Sequence, residues 1–432
     1  MRRSLPGDTQ VQGLQRIFKN GHGTTAVSCS APRTRSTVLI HWLALLFSII
    51  NASVQLLVPL YALRLGYSGL IIGMLAALPS VANVTLRLTF GRLSDRHGET
   101  AILRLGGLFY FASAAGMLLS TWLGLALLVG AQLLQGVARS IFWTVAQAYA
   151  TKLPLRGGLH LSLFNGATNL GMVLGISVAG LWVGVLGYRG AFALVLALAV
   201  LYVALTRVLA SSRTPVLSET VAPPGTKGAL PDLRLGPLWL AACCAFVNGA
   251  TWAMASSFHP VYLARLGYGD KAIGLLLMLL PVGMLASSSV SRRIVERSDS
   301  MERLAVGFIV ATGLGVAIVP AVRTWLPLTA VILATGFCSG VCNLLYQLSV
   351  QRHSDWGARG AMMASVGLFG NLALLVLPTT IGVVLRWVPL NAALVGAGAF
   401  LMILGVPAHL SARNLRVGRV FGARSGEHAV RL

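Results

Sequence analysis

Charged residues are scarce in this sequence of 432 residues, and acidic residues are the scarcest. Asp and Glu number 11 against 34 Lys and Arg, and the four types together make up 10% of the chain. Hydrophobic residues account for 56%, with a mean hydropathy of +0.78. A soluble domain carries about 25% charged residues. The composition therefore excludes an ordinary soluble protein.

Cysteine is also rare, and its pattern argues against a metal site. The five cysteines are Cys29, Cys243, Cys244, Cys338 and Cys342. Cys338 and Cys342 share a helical face, but without His or carboxylate neighbours we interpret them as small packing residues. The sequence has no nucleotide-binding P-loop, metal cluster or nucleophile constellation, so we expect no enzyme activity and no cofactor.

Long apolar runs occupy most of the chain. A helix needs about 20 apolar residues to cross a bilayer. We number the runs as spans 1 to 12 and place them near residues 38–61, 69–90, 101–121, 124–147, 160–185, 190–209, 237–262, 271–291, 303–322, 326–349, 360–385 and 390–410. A membrane barrel would show only about ten residues of alternating polarity per strand. The runs therefore predict an all-α membrane protein with twelve transmembrane helices.

The first half of the chain is repeated in the second half. The repeated residues lie 200 to 202 positions apart and include Pro59 and Pro260, Tyr61 and Tyr262, Arg64 and Arg265, Gly73 and Gly274, Gly136 and Gly336, Asn169 and Asn371, and Gly180 and Gly382. A register that holds over this length indicates two homologous halves. We predict two pseudo-symmetric six-helix bundles, residues 37–210 and 237–410, with a linker at 211–236 and tails at 1–36 and 411–432.

Basic residues are distributed unevenly between the loops. Those that follow even-numbered spans carry clusters, such as Arg92, Arg96 and Arg104, whereas the opposite loops carry few. The positive-inside rule then places both termini in the cytoplasm. We expect a multi-pass protein of the cell or inner membrane. Its net charge of +23 reflects this orientation and contact with lipid headgroups, and we expect no nucleic-acid partner.

The loop after span 2 carries the most specific motif, Gly91-Arg92-Leu93-Ser94-Asp95-Arg96-His97-Gly98. Together with the two-by-six repeat, it closely resembles the major facilitator superfamily, whose loop between helices 2 and 3 reads G-x-L-x-D-R-x-G. The resemblance covers residues 37–410 and implies a secondary transporter that works by alternating access. It also implies a cytoplasmic latch between the halves, formed by Gly91, Asp95, Arg96 and Gly98 and, in a degenerate second copy, by Glu296 and Arg297.

Three weaker motifs resemble efflux members of this family. In span 4, Gln132 to Gly136 is similar to R-x-x-Q-G, with Gln132 in place of the arginine. In span 5, residues 171–180 keep the glycine spacing of an antiporter motif without its proline, and Pro59 before Tyr61 is similar to the drug-efflux branch. On these resemblances we predict export. The first alternative is an uptake carrier or facilitator for an organic anion or metabolite. The second, more remote alternative is a non-transporting membrane scaffold.

Every acidic residue lies in a loop, a tail or the end of a span. Proton-coupled transporters usually carry a carboxylate at membrane depth, because protonation there removes a costly charge. The lack of a carboxylate at membrane depth weakens the expectation of proton coupling and of cationic substrates. H⁺ stays a candidate coupling ion, and His259 near the outer end of span 7 is the histidine that could titrate near neutral pH from the cavity.

Span 4 contains one mid-membrane cation, Arg139, which must face a partner or a watery cavity. Polar side chains recur at helical spacing on spans 1, 4, 7 and 10, which the family resemblance places around a central cavity. The predicted substrate-binding residues are Asn51, Gln55, Gln135, Arg139, Trp143, Asn248, Trp252, Asn343, Tyr346 and Gln347.

This set of side chains favours a small, amphipathic, neutral-to-anionic organic solute as the substrate, carried by a monomeric protein. Outside the set, Asn169 and Asn371 are interpreted as structural because they are related by the repeat. Arg87, near the inner end of span 2, is expected to extend to the membrane interface.

Overall fold

The computed structural model describes residues 32–152, 159–211, 236–297, 300–353 and 359–406. This part of the chain is helical throughout and contains no strand. The side chains of Asp95, Glu296 and Arg297 lie outside the described set, so the latch implied by the family resemblance stays a prediction.

The helices follow the predicted spans. Spans 1 to 3 are Pro32–Arg64, Gly69–His97 and Glu99–Leu123. Span 4 is Leu125–Ile141, which continues as a π-helix, Phe142–Ala146, and then as Gln147–Lys152. Spans 5 and 6 together are Leu159–Ser211. Spans 7 to 12 are Gly236–Ala255 with Phe258–Arg265, Asp270–Leu277 with Leu279–Arg297, Met301–Ile318 with a 3₁₀ turn at Val319–Ala321, Trp325–His353, Arg359–Val384 and Leu390–Ile403.

Within the described residues, ten helices are long and apolar enough to cross a membrane. One of them, Leu163–Ser211, contains both span 5 and span 6, and the shorter helix Leu390–Ile403 is span 12. The twelve predicted spans are therefore all present. Several helices run past the predicted bounds, because hydropathy marks only the apolar part of a helix whose polar ends continue the same backbone.

Spans 5 and 6 are separated by a sharp reversal at Gly187, whose φ of 67° lies in the region that favours glycine. On span 5, Gly171 lies against the backbone carbonyl of Leu45. On span 6, the ring of Tyr202 lies 6.3 Å from that of Phe47. A straight helix would separate these two levels by about 46 Å, since they are 31 residues apart at about 1.5 Å each. The chain therefore turns back at Gly187.

The two faces of the protein differ in what they carry. The tail face holds the start of span 1 and the end of span 12, and the turn face holds the turns at Gly66, Gly187 and Gly267. Gly66 and Gly267 are related by the repeat and have φ values of 75° and 89°. In each turn the next residue, Tyr67 or Tyr268, donates its N–H to a carbonyl five residues earlier, at 3.1 and 3.2 Å. This is one helix-ending turn used twice.

The halves meet where repeat-related glycines cross. Gly73 of span 2 lies against Pro378 and Gly382 of span 11, where an added Cβ would overlap the Pro378 carbonyl oxygen. Gly274 of span 8 lies against Gly180 of span 5, where an added Cβ would be 2.9 Å from the Gly180 Cα. Both crossings need the backbones in direct contact, which only glycine allows.

A polar cluster joins the halves at the turn face. The guanidinium of Arg64 pairs with the carboxylate of Asp270 at 3.0 Å, and the hydroxyl of Tyr188 donates to the same carboxylate at 3.3 Å. Asp270 is the first residue of its helix, where a negative charge is favourable. Together with the glycine crossings, this cluster holds the halves together near the turn face.

Candidate functional site

A cavity of about 250 Å³ lies between the halves. Its described lining comes from spans 1, 2, 4 and 5 of the first half and spans 7, 8, 10 and 11 of the second. In span 2, Gly73 lies nearer the turn face than the lining residue Arg87, and in span 11 Pro378 lies nearer the turn face than the lining residue Gly367. The cavity thus extends from the crossings towards the tail face, with room for a small molecule.

Nine of the ten predicted binding residues line this cavity: Asn51, Gln55, Arg139, Trp143, Asn248, Trp252, Asn343, Tyr346 and Gln347. Helical spacing on four spans therefore identified side chains that the fold brings together. Their role in binding a substrate stays a prediction.

The tenth residue, Gln135, lines a smaller neighbouring cavity of about 20 Å³. Gln132 and Ser256 also line it, and Arg139 and Gln55 line both cavities. The Nε2 atom of Gln135 is buried without a hydrogen-bond partner. A space of this size holds about one water molecule.

Arg139 is 6% exposed, and its enclosed Nε atom has no hydrogen-bond partner. The π-helix Phe142–Ala146 begins three residues later. Its wider turn alters the rotation of span 4 just beyond the arginine, and Trp143 within it lines the cavity. Single π turns of this kind are frequent at functional sites.

Arg87 corrects one expectation. We expected its side chain to reach the membrane interface, but it lines the cavity next to Gly367 of span 11. One helical turn earlier, Asn83 donates a hydrogen bond of 3.0 Å to Asn371 of span 11. This bond across the halves turns the polar face of span 2 towards the cavity. Asn83 and Arg87 are four residues apart, which places them on one face of a helix. This spacing was the sequence signal for a polar face on span 2, but only spans 1, 4, 7 and 10 were considered.

The two arginines are the charged residues of the described cavity lining, which contains no Asp, Glu, Lys or His. Neither guanidinium forms an ion pair or a hydrogen bond with the residues that the structure describes. The rest of the polar lining consists of amides and hydroxyls. The charge carried by the described lining is therefore positive.

Amide side chains form the opposite wall. Asn248 donates to Asn343 at 3.4 Å and accepts from the Ser339 hydroxyl at 3.1 Å, which joins span 7 to span 10. Asn169 and Asn371, which we interpreted as structural, both line the cavity. Asn371 lines the cavity and also has a structural contact, because it accepts the hydrogen bond from Asn83 of span 2.

His259 lines neither of these two cavities. It is 3% exposed, and its Nε2 has no hydrogen-bond partner. It lies just after the break in span 7 between Ala255 and Phe258. Its proposed part in coupling stays a prediction.

The motif after span 2 is helical up to His97, and Gly98 makes the turn into span 3 with a φ of 84°. Gly91 lies within the helix, where an added Cβ would meet the Thr144 methyl group at an ordinary 3.6 Å. Gly98 is therefore the motif glycine that the backbone requires, whereas Gly91 makes no close approach among the described residues.

Comparison with known proteins extends the family resemblance. The sequence profile of the Major Facilitator Superfamily matches residues 40–378. No curated protein sequence matches the chain. Among solved structures, a bacterial homolog of the human lysosomal transporter Spinster, inward-facing and unoccupied, superposes with a TM-score of 0.70 at 12% identity, covering 89% of this chain and 98% of that one.

Two further solved structures have the same fold. The POT family transporter PepTSo superposes with a TM-score of 0.72 at 10% identity, covering 89% of this chain and 98% of that chain. The nucleoside transporter NupG superposes with a TM-score of 0.71 at 13% identity, covering 87% and 99%. At these identities the likeness establishes the fold alone.

Proposed function

The chain belongs to the major facilitator superfamily, and from this premise we propose that it carries a small amphipathic organic anion through the cavity between its halves. A secondary transporter of this type binds its solute between two bundles and exposes it to each side in turn. The observation that supports an anion is Arg139, a buried guanidinium without a partner among the described residues, in a cavity whose described lining has no carboxylate.

The energy of an anion at Arg139 can be bounded. A charge-assisted hydrogen bond contributes about 1.5–3 kcal/mol, which corresponds to about ten- to a hundredfold in affinity. The planar guanidinium matches a carboxylate with two parallel bonds. Trp143, Trp252 and Tyr346 present aromatic surface in the same cavity for the apolar part of an amphipathic solute.

Export is the proposed direction, with a proton as the proposed exchanged ion. The resemblances in spans 1 and 5 support it. Because the basic loops predict a cytoplasmic tail face, a solute would enter this cavity from the cytoplasm. Release then requires the turn face to open, which separates Arg64 from Asp270. Substrate drives this cycle only by binding the two states with different affinity.

Thermal stabilisation tests the substrate class. Purified protein in detergent is heated with a panel of organic acids, sugars and cationic drugs, alone and after Arg139→Gln. We expect organic acids to raise the melting temperature of the wild type and to lose this effect in the variant. Arg104→Gln is the matched control, because it removes an exposed arginine outside the cavity. Stabilisation confined to sugars or cationic drugs would contradict the proposal.

Direction is tested separately in proteoliposomes of known orientation. An acid identified by stabilisation is loaded inside or outside, and its movement is followed with and without a pH gradient. Export predicts net movement from the tail face to the turn face, accelerated when the turn-face side is acidic. Accumulation in the opposite direction under the same gradient would favour the uptake carrier.

A further inference from the structure

We propose that Arg87 and Arg139 form a two-point site that selects substrates with two anionic groups, such as dicarboxylates. This inference rests on the proposed function above, since it names the class of anion that the same cavity takes. The juxtaposition that supports it is two guanidinium groups on one cavity, from span 2 and span 4, with no acidic residue in the described lining.

Arg87 is available to a ligand. Its side chain is partly buried, its Nε atom is enclosed without a hydrogen-bond partner, and the residue lines the cavity. Its guanidinium nitrogens face Gly367, at 3.3 and 3.6 Å from the position that a Cβ would take there. Because Gly367 has no side chain, the guanidinium can lie close to the backbone of span 11 at the wall of the cavity.

The fold itself does not require an arginine at either position. With the repeat aligned, Ser288 of span 8 corresponds to Arg87, and Ser339 of span 10 corresponds to Arg139. The second half thus builds the same helices with small neutral side chains. The two arginines are therefore not part of the framework that the halves share.

Both cations belong to the same half, and this fixes the separation of their backbones. Gly136 of span 4 lies directly on span 2, where an added Cβ would be 2.8 Å from the Pro79 Cα. Rigid-body rocking moves the halves relative to each other but leaves spans 2 and 4 packed together. A substrate with two anionic groups could therefore stay with the first half as the second half moves.

Charge balance favours two anionic groups over one. Two uncompensated cations on one cavity repel each other and are costly to desolvate. A monoanion bound at Arg139 leaves Arg87 uncompensated, whereas a dianion neutralises both. If the second contact is one charge-assisted bond, the affinity for the diacid exceeds that for the monoacid by about tenfold or more.

The test compares each diacid with its own monomethyl ester, which has nearly the same size and one charge fewer. Succinate, glutarate, adipate and suberate and their monomethyl esters are titrated against the full-length protein in detergent by thermal shift. The variants are Arg87→Gln, Arg87→Lys and Arg139→Gln, with Arg104→Gln as the control. Gel filtration establishes that each variant is folded before titration, and the lysine variant retains the charge if the glutamine variant does not fold.

We expect at least one diacid to bind about tenfold or more tightly than its monoester in the wild type and in Arg104→Gln. Arg87→Gln should abolish this preference while monoester binding persists, and Arg87→Lys should retain part of it. An unchanged preference in Arg87→Gln, or equal binding of diacids and monoesters by the wild type, would overturn the two-point site and leave the proposed function standing. If Arg139→Gln binds monoesters as well as the wild type, or if no acid binds, the proposed function itself fails.

Discussion

The first and second halves of the chain are built on the same helices and line the same cavity with different charges. Their correspondence is visible in the packing. Gly136 lies on span 2 with an added Cβ 2.8 Å from the Pro79 Cα, and Gly336 lies on span 8 with an added Cβ 2.9 Å from the Leu280 Cα. Pro79 and Leu280 are 201 positions apart, and the two glycines are 200 apart.

Features that both halves share reflect the fold. Features found in one half alone are candidates for a role in the site. The glycines of the crossings recur in both halves because close helix packing needs them. Among the described lining residues the arginines belong to the first half, although a buried cation is costly and serine occupies both related positions in the second. The repeated glycines therefore mark the shared architecture, and the unrepeated arginines are the candidates for substrate binding.

The largest expected effect comes from disturbing the shared crossings. Gly73→Ala and Gly274→Ala should each abolish transport, because the new methyl group would overlap backbone atoms of the facing span and hold the turn face apart. Gly130→Ala is the matched control, since an added Cβ there meets nothing within 4 Å. Uptake into proteoliposomes measures the effect. Normal transport by either crossing variant would show that the glycine contact is dispensable.

These crossings illustrate what the sequence could predict. The repeat identified the glycine pairs, hydropathy identified the twelve spans, and helical spacing identified the polar faces of spans 1, 4, 7 and 10. Each signal is local or periodic, so each can be read from one chain. The crossings themselves, Gly73 against Gly382 and Gly274 against Gly180, required the structure because a repeat does not say which copies touch.

The rest of the site depends on contacts between helices that are far apart in the sequence, and a local sequence pattern does not reveal such contacts. Arg87, Asn165 and Ser288 line the cavity from spans 2, 5 and 8, where single polar residues are averaged out by their apolar neighbours. The break in span 7 and the π-helix in span 4 likewise lie inside continuous apolar runs. Such irregularities are stabilised by tertiary contacts, which is why hydropathy predicted unbroken helices.

A smaller effect is expected at the turn face, where the halves again differ. Arg64 pairs with Asp270, whereas its repeat counterpart Arg265 has no ion pair among the described residues. Because the Arg64 side chain is 65% exposed, the pair contributes about 0–1 kcal/mol. Loss of this ion pair in Asp270→Asn should therefore shift the population of turn-face-open molecules by about fivefold or less, before any effect from the Tyr188 bond.

Maleimide labelling of Ala76→Cys, in a background without the native cysteines, reports this opening because Ala76 lines the small cavity near the turn face. Arg265→Gln is the control and should leave the labelling rate unchanged. Equal rates in Asp270→Asn and the parent would mean that the ion pair does not bias the two states.

The smallest effect is expected from substitutions in the two copies of the loop motif. The family resemblance implies that this motif forms a latch between the halves. Asp95→Asn should increase labelling of cavity cysteines from the tail face and leave expression intact. Glu296→Gln should do so less, because the second copy has lost its glycines. Labelling of Asn51→Cys with a membrane-impermeant reagent measures both. Unchanged labelling and normal transport in Asp95→Asn would reduce the motif to a membrane anchor.

The central claim is that the charge of the first half binds the substrate through Arg139. Its most direct test is the dissociation constant of one stabilising organic acid, measured by calorimetry for the wild type, Arg139→Lys and Arg139→Gln. We expect the glutamine variant to bind about ten- to a hundredfold more weakly and the lysine variant to fall between, because lysine keeps the charge without the fork geometry. An acid that binds Arg139→Gln as tightly as the wild type would contradict the account.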